Sequence, residues 1–479
     1  MSKDNGQFVK EITDPDVNFP QWYTDVVLKT QLVDYGPTKG SMVIRPYGYA
    51  LWENIQHGLD MRFKATGHVN AYFPLLIPYS FLAKEAEHVE GFAPEVAVVT
   101  HAGGEKLAEP LVVRPTSETV ICDMYAKWVQ SYRDLPVLIN QWANVVRWEK
   151  TTRPFLRTSE FLWQEGHTLH ATEEEAREET LKMLGVYAEF CQNELAMPVL
   201  SGRKSDGEKF AGAAETYSIE AMMLDGKSLQ SGTSHFLAQN FSKSFNIRFL
   251  DRDGALKNPW QTSWGVSTRL IGAVIMAHGD KRGLKLPPRV APVQCTIIPI
   301  AAKKPGVLKA AQKLAAKLEK KGVRVQLDVR DQSPGWKFNE CEMKGVPLRL
   351  ELGPRDIENG VCLAVRRDTG EKCELAIKGI EKAVLKMLDD IQANMYAQAK
   401  HFMDSHIRTA NSMDELGKAM DDKCFALSTW CGSTDCEAEI KTKFQATSRN
   451  MPFDQKLDSP TCVCCGKKGK YKIYFGRAY

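Results

Sequence analysis

The residues of this chain with chemical potential fall in short polar strings that lie far apart. Arg114-Pro115-Thr116-Ser117-Glu118 is followed by Asn144-Val145-Val146-Arg147-Trp148-Glu149. On a strand, Arg147 and Glu149 stand two residues apart and project from one face. Such a pair is either a cross-strand salt bridge or a charged pair offered to a ligand. Its company favours the second: Arg157, then Phe161-Leu162-Trp163-Gln164-Glu165-Gly166-His167, Gln230-Ser231-Gly232-Thr233-Ser234-His235, and Ser263-Trp264-Gly265-Val266-Ser267-Thr268-Arg269. A different chemistry sits further on. Cys431-Gly432-Ser433-Thr434-Asp435-Cys436 and Cys462-Val463-Cys464-Cys465-Gly466 make a paired-cysteine pattern suited to tetrahedral zinc, which structural sites hold with four thiolates and no open position. The second pair closes as Cys462 with Cys464 or as Cys462 with Cys465; the alternative to a metal is four reduced, unligated thiols. Cys122 and Cys191 read as small buried hydrophobes.

The chain has 479 residues. A single hydrophobic core stops growing at about 250–300 residues, so roughly three domains are expected. Hydrophobic residues at 43% and charged residues at 25% place it among folded globular proteins and exclude an extended disordered chain. No apolar run approaches the ~20 residues of a membrane span, and MSKDNGQFVKE resembles neither a signal nor a transit peptide. A cytoplasmic protein with reduced thiols is the expectation. Lys plus Arg exceed Asp plus Glu by 63 to 59, too little to diagnose nucleic-acid binding. Locally the balance differs: residues 303–350 carry twelve Lys or Arg against five acids, a stretch able to hold a polyanion.

These groups need elements to position them. Arg45-Pro46-Tyr47-Gly48 opens a helical pattern with Trp52, Ile55, Leu59 and Phe63 on one stripe. After Gly67, VNAYFPLLIP predicts a strand closed by prolines at 74 and 78. Strand-like runs recur at Leu111–Arg114, Leu138–Trp148, Phe161–Leu169, Ser228–Phe236 and Trp264–Thr268, with a helix over 173–195. Such runs of strands predict a mixed, largely antiparallel sheet. Beyond Leu286-Pro287-Pro288-Arg289 come VQCTIIPIA, a helix over 307–321, VRVQLDV, VPLRLEL, VCLAVRR and a last helix near 379–398, which predict an α/β domain with a parallel-type core. The expected division is 1–289, 290–400 and 401–479, without internal repeats. The aromatic-rich ending KIYFGRAY predicts that Tyr474, Phe475 and Tyr479 dock against the protein.

Taken together and in order, these strings resemble the class II aminoacyl-tRNA synthetases, and within them the prolyl-tRNA synthetases of archaeal/eukaryotic type. Residues 45–74 resemble the dimer-forming helix and strand, NVVRWE with its loop the second class motif, and SWGVSTR the third. RPTSET, FLRTSEFLWQEGH, GTSHF, SPGWKF and KGVPLRLELGPRD sharpen the likeness to the proline enzyme. The resemblance implies an α+β catalytic domain with a mixed, largely antiparallel sheet, an α/β anticodon-binding domain and a small α+β zinc-binding C-terminal domain. It also implies an activity: ATP-dependent ligation of L-proline to tRNA(Pro) through a prolyl-adenylate, releasing AMP and pyrophosphate. That reaction is mainly positioning and charge neutralisation.

By resemblance the catalytic residues are Arg147 and Arg269. Arg147 would contact the α-phosphate and the substrate carboxylate, and Arg157 and Arg269 the terminal phosphates. Glu149 would read the adenine amino group, and the ring would lie between Phe161 and Arg269. Thr158, Gln230, Thr233 and Ser267 would stand on the nucleotide or magnesium side. The proline pocket maps to Thr116, Glu118, Arg147, Trp163, Glu165, Phe210 and His235, a carboxylate pair taking the two N–H donors of prolinium while aromatic walls exclude water. By type alone Phe161 is a core ring and His235 a buried histidine bonded to backbone. Anticodon contacts map to Trp336, Lys337, Lys344, Glu351 and Arg355, which by type alone are a solvated loop and one packed tryptophan. Zinc would be structural, Mg2+ would accompany ATP, and the chain would form a symmetric homodimer that engages neither DNA nor membrane. Between Arg157 and Arg269 there is no room for a large editing insertion, and AGAAETYSIE departs from the family's AGGDYT-like string. The rivals are a class IIa synthetase for another small amino acid and a catalytically silent RNA-binding paralogue. Retention of Arg147, Glu149 and Arg269 together argues against silence.

Overall fold

The structure is a computed structural model that describes residues 12–82 and 95–479. Its largest element is an eight-stranded sheet, ordered Met451–Pro452, Leu200–Arg203, Glu215–Met222, Ser228–Ala238, Trp260–Ser267, Glu160–His170, Val137–Val146 and Val69–Asn70. Every neighbouring pair is antiparallel except the last, which is parallel. This is the mixed, largely antiparallel sheet expected. Alternation sorts its two faces: Trp264 is 1% exposed and packs on Phe63 at 5.1 Å, while its neighbours Ser263 and Gly265 face a cavity. A side chain at Gly166 would meet the Trp264 ring at 2.2 Å, so that strand needs glycine there.

Two helices close the buried face. Pro46–Ala65 starts on proline at its first turn and buries Trp52, Ile55, Leu59 and Phe63, the stripe seen in the sequence. Glu173–Asn193 starts on a reciprocal cap between Thr172 and Glu175 and buries Met183, Leu184 and Tyr187 against the same core. VNAYFPLLIP is not one strand. It forms Val69–Asn70 and Leu76–Pro78, in separate sheets, with the chain between them carrying Pro74, which cannot donate to a ladder.

The second sheet is ordered Val325–Leu327, Cys295–Pro299, Leu348–Leu352, Val361–Arg366 and Lys372–Ala376. Only its first three strands are parallel; the last two pair antiparallel. The parallel-type core expected from the sequence is therefore half right, because a hairpin closes the edge instead of another crossover. The final helix is Ile380–Ser405 and runs through residue 400 without a break.

The C-terminal segment builds a four-stranded sheet of Ile407–Thr409, Phe425–Trp430, Tyr471–Gly476 and Thr447–Ser448, and then sends Met451–Pro452 across to the edge of the large sheet. The approach is close: a side chain at Gly202 would meet the Met451 carbonyl at 2.2 Å. Tyr479 donates from its hydroxyl to Asp225 Oδ2 at 2.6 Å and from its backbone to the Ser228 carbonyl at 3.1 Å, while Phe475 is buried and Tyr474 is half-buried. Among the described residues no helix is long and apolar enough to cross a membrane.

Candidate active site

The open face of the large sheet carries a cavity of about 540 Å³. Thr116, Glu118, Arg147, Phe161, Trp163, Glu165, Phe210, Gln230, Thr233, His235, Ser267 and Arg269 all line it. Residues scattered over 154 positions of sequence thus converge, because three adjacent strands, the starts of two helices and the loops beside them point them inward. Glu118 opens the helix Glu118–Trp128 and Arg269 opens Arg269–His278. The Val137–Val146 strand ends one residue before Arg147. Arg147 and Glu149 are therefore not on a strand: beyond Val146 the ladder stops, and the Trp148 N–H turns to the Glu95 carbonyl.

Arg147 is held by Nε donating to the Pro115 carbonyl at 3.0 Å, with its guanidinium 5.5 Å from the ring centres of both Phe161 and Trp163. Arg269 donates from Nε to the Leu156 carbonyl at 3.2 Å. Burial, and then the positive charge of Arg157 and Arg147, hold the Arg269 guanidinium below its ordinary value. Carbonyl anchors orient these cations without neutralising them, leaving a site prepared for an anion.

The two expected pocket carboxylates differ. Glu165 is buried and receives Ser117 Oγ at 2.5 Å, Gln141 Nε2 at 2.8 Å, the Ser117 N–H at 3.3 Å and His167 Nε2 at 3.0 Å. Burial pushes its carboxyl up, but His167, Ser117 and Gln141 outweigh that and hold it down. The His167 ring is in turn raised: burial opposes its charge, and the bond to Glu165 prevails. The two form a buried ion pair with the acceptor sites of Glu165 filled. Glu118 accepts from Thr116 Oγ1 and is the carboxylate with capacity left for a ligand. His235 bonds Thr216 Oγ1 through Nδ1 at 3.0 Å and packs on Phe210 at 4.9 Å. Burial, with His167 and Lys204 nearby, pulls it down to about 3, so it is neutral. It is bonded to a side chain, not to backbone.

Three expected nucleotide residues lie off the cavity lining. Glu149 and Arg157 pair with one another at 3.5 Å, and Thr158 is buried with its hydroxyl donating to the Glu160 carbonyl at 2.7 Å. Sequence reasoning missed His167, Ser117 and Gln141, which hold Glu165, and Lys204, Glu208 and Lys209, which line the cavity. His167 was within reach, two residues from Glu165 on one strand face; Lys204 carries no local signal. In the departing string Ala213 is buried and Thr216 supplies the His235 contact.

Three family models match in succession: "tRNA synthetase class II core domain (G, H, P, S and T)" over residues 102–278, "Anticodon binding domain" over 294–387, and "Prolyl-tRNA synthetase, C-terminal" over 413–479. The proline--tRNA ligase 2 of Clostridioides difficile is 58% identical, and the proline--tRNA ligase of Acetoanaerobium sticklandii 60%, each covering 100% of both chains. The chain belongs to the prolyl-tRNA synthetases. A crystal structure of prolyl-tRNA synthetase from Cryptosporidium parvum complexed with halofuginone and AMPPNP is 42% identical, with a TM-score of 0.94 over 98% of this chain and 99% of that one.

The C-terminal part of this synthetase gathers one of the two sets of four cysteines. Cys431, Cys436, Cys462 and Cys465 place their sulfurs within 4.8 Å of one another, whereas Cys464 Sγ turns to Glu439 Oε2 at 3.3 Å. Cys431 lies 3.7 Å from both Cys436 and Cys465. A tetrahedron with metal–sulfur bonds of about 2.3 Å has edges of about 3.8 Å, so the four thiols fit a metal. Cys122 and Cys191 are buried, as expected.

The anticodon candidates are not gathered as a group of free side chains. Lys337 is 5% exposed and donates to the Asp328 carbonyl at 3.0 Å. Lys344 pairs with Glu340 at 3.2 Å, and Glu351 with Arg349 at 3.0 Å. Trp336 is half-buried with Arg330 over its ring at 5.0 Å, and Arg355 is exposed.

Proposed function

We propose that this cavity performs the activity of the family, ATP-dependent ligation of L-proline to tRNA(Pro) through a prolyl-adenylate, with release of AMP and pyrophosphate. The observation that carries the reading is the convergence of Arg147 and Arg269, both anchored by backbone carbonyls, on a cavity that also holds Glu118. A proline carboxylate oxygen attacks the α-phosphorus in line and pyrophosphate leaves; no proton acceptor is required. Arg147, steadied by Pro115, offers its terminal nitrogens to the carboxylate and α-phosphate, and Arg269 acts on the outer phosphates. Glu118 and Thr116 receive the prolinium N–H groups, Trp163, Phe210 and neutral His235 wall the ring, and Glu165 fixes Ser117 at the head of the Glu118 helix. Phe161, Gln230, Thr233 and Ser267 take the nucleotide; Glu149, Arg157 and Thr158 serve it from the adjoining loop. Mg2+ bound with ATP would neutralise phosphate charge.

Zn2+ held by Cys431, Cys436, Cys462 and Cys465 would be structural, since four thiolates leave no position for water. The division 1–289, 290–400 and 401–479 accommodates each matched family segment. The central unit binds the anticodon, with Trp336, Lys337, Lys344, Glu351 and Arg355 the candidate contacts, of which Arg355 is exposed. A homodimer is supported by the exposed apolar side chains Tyr49, Met61, Val69, Tyr72 and Leu76 within residues 45–78, which include the segment that resembles the class interface. We place the protein in the cytoplasm, acting on RNA and not on DNA or membrane. Proline-dependent ATP–pyrophosphate exchange tests the reading. Exchange with alanine, threonine or serine but not proline would select another small amino acid, and none at all would select a silent paralogue.

A further inference from the structure

One wall of the cavity is not held by its own sheet alone. Lys204 follows the strand Leu200–Arg203 and is 3% exposed, with its ammonium 3.2 Å from Glu220 Oε1. Glu220 is fully buried and receives Ser228 Oγ at 2.7 Å and Ser218 Oγ at 3.0 Å. Burial pushes its carboxyl up, yet Lys204 and Arg449 hold it below the usual range. Arg449 belongs to the C-terminal segment. Its guanidinium lies 3.7 Å from Glu220 and 3.8 Å from Glu208, and the residues beside it grip the same wall. Ser448 Oγ meets Ser205 Oγ at 3.1 Å, Asn450 Nδ2 donates to the Leu200 carbonyl at 2.8 Å, and Met451–Pro452 pairs with the Leu200–Arg203 strand. At the other end of the wall the Phe210 N–H donates to Thr216 Oγ1 at 3.0 Å.

We propose that Arg449 is a positioning residue for amino-acid binding: through Glu220 and Glu208 it fixes the 204–210 segment, so that the C-terminal unit sets affinity for the amino acid. The inference rests on the cavity being the amino-acid site. Two cations share one buried carboxylate, so removing Arg449 leaves a neutral Lys204–Glu220 pair, whereas removing Glu220 would strand two charges. Without Arg449 the substrate must order the wall itself, a cost that falls on amino-acid binding. The arginines of the phosphate site give their anchoring hydrogen bonds elsewhere, to the Pro115 and Leu156 carbonyls; Arg269 senses Glu220 through its charge, which Arg449→Met leaves in place.

The test uses full-length R449M, R449K, K204M and the R449M/K204M double variant in ATP–pyrophosphate exchange, with thermal melts alongside. R449M is expected to raise the proline KM about tenfold, equivalent to about 1.4 kcal/mol, with kcat and the ATP KM within about twofold, an estimate from preorganisation alone. R449K should recover most of the loss, and R449M should add less than about twofold in the K204M background, since neighbours in one network are not additive. An unchanged proline KM in R449M overturns the proposal, as does a parallel loss of kcat and both KM values that R449K does not rescue. If R449M fails to fold, K204M decides: an unchanged proline KM there overturns it, and a raised one that R449K shares in part upholds it. Wild-type protein that exchanges another amino acid would refute the proline reading and leave the clamp to be measured with that amino acid.

Discussion

The two arginines at the heart of the cavity and four arginines of the anticodon-binding unit meet opposite fates, although Arg324 of that unit also rests on carbonyls, those of Ala291, Pro288 and Arg289. In the latter, Arg330 bonds Asp328 at 3.0 Å through Nε and also reaches Glu340. Arg349 pairs with Glu351 at 3.0 Å, Arg366 with Asp368 at 2.7 Å, and Arg367 with Asp280 at 2.7 Å. In the cavity, Arg147 and Arg269 rest on carbonyls at 3.0 and 3.2 Å. A carboxylate partner neutralises and satisfies a guanidinium; a carbonyl only aims it. Within residues 303–350 Arg330 and Arg349 are therefore already matched by carboxylates, and a count of charge along the sequence does not tell such a paired guanidinium from one that is only aimed by carbonyls.

The comparison breaks most visibly at Arg147. Arg147→Ala should lower proline-dependent exchange by about 10³, roughly 4 kcal/mol, while the melting temperature shifts little, because the hydrogen bond lost is one to the Pro115 carbonyl. Exchange near the wild-type rate would remove Arg147 from the phosphate chemistry. The converging thiols extend the comparison, since they too are gathered by the fold around a place for a charged ligand. Elemental analysis should find about one zinc per chain; Cys465→Ser should release it and Cys464→Ser retain it. The reverse result would reassign the fourth ligand.

On the paired side, Asp280 of the catalytic unit meets Arg367 of the next unit and Lys285 of its own. Burial raises its carboxyl, but these cations more than reverse the effect and bring it down to about 2 from 3.8. A depressed folded value means the contribution is full above the unfolded value and is lost as pH falls through the folded one. Asp280→Asn should thus cost about 2 kcal/mol near neutral pH. In urea unfolding the gap to wild type should narrow as pH drops from about 5 towards 2. A gap independent of pH would show that the pair contributes through packing and not through charge. The smallest effect is expected at Glu118, where Glu118→Gln should raise the proline KM about tenfold, since an amide keeps the shape and loses the charge facing the prolinium. An unaltered KM would take Glu118 out of the pocket.

The sequence was legible where a function sits in contiguous residues. SWGVSTR and RPTSE place cavity residues side by side because a strand end or a helix start presents neighbouring positions together. It was less legible where a strand had to end: Arg147 and Glu149 looked like one face of a strand, but the ladder stops at Val146. Partner supply is equally invisible, so Glu165 could pass for a free acceptor when Ser117, Gln141 and His167 already fill it.

By itself, then, the sequence determined the chemistry: which cations, carboxylates and thiols exist, the period-two strands that carry them, and the family strings that order them. Those are local properties, written in neighbouring residues. Which charges remain free was decided only by the tertiary structure. Arg449 reaching Glu220, Cys465 turning to Cys431 while Cys464 turns to Glu439, and Arg367 meeting Asp280 each depend on chain segments brought together by packing, and a charge is available to a ligand only when no such segment has neutralised it.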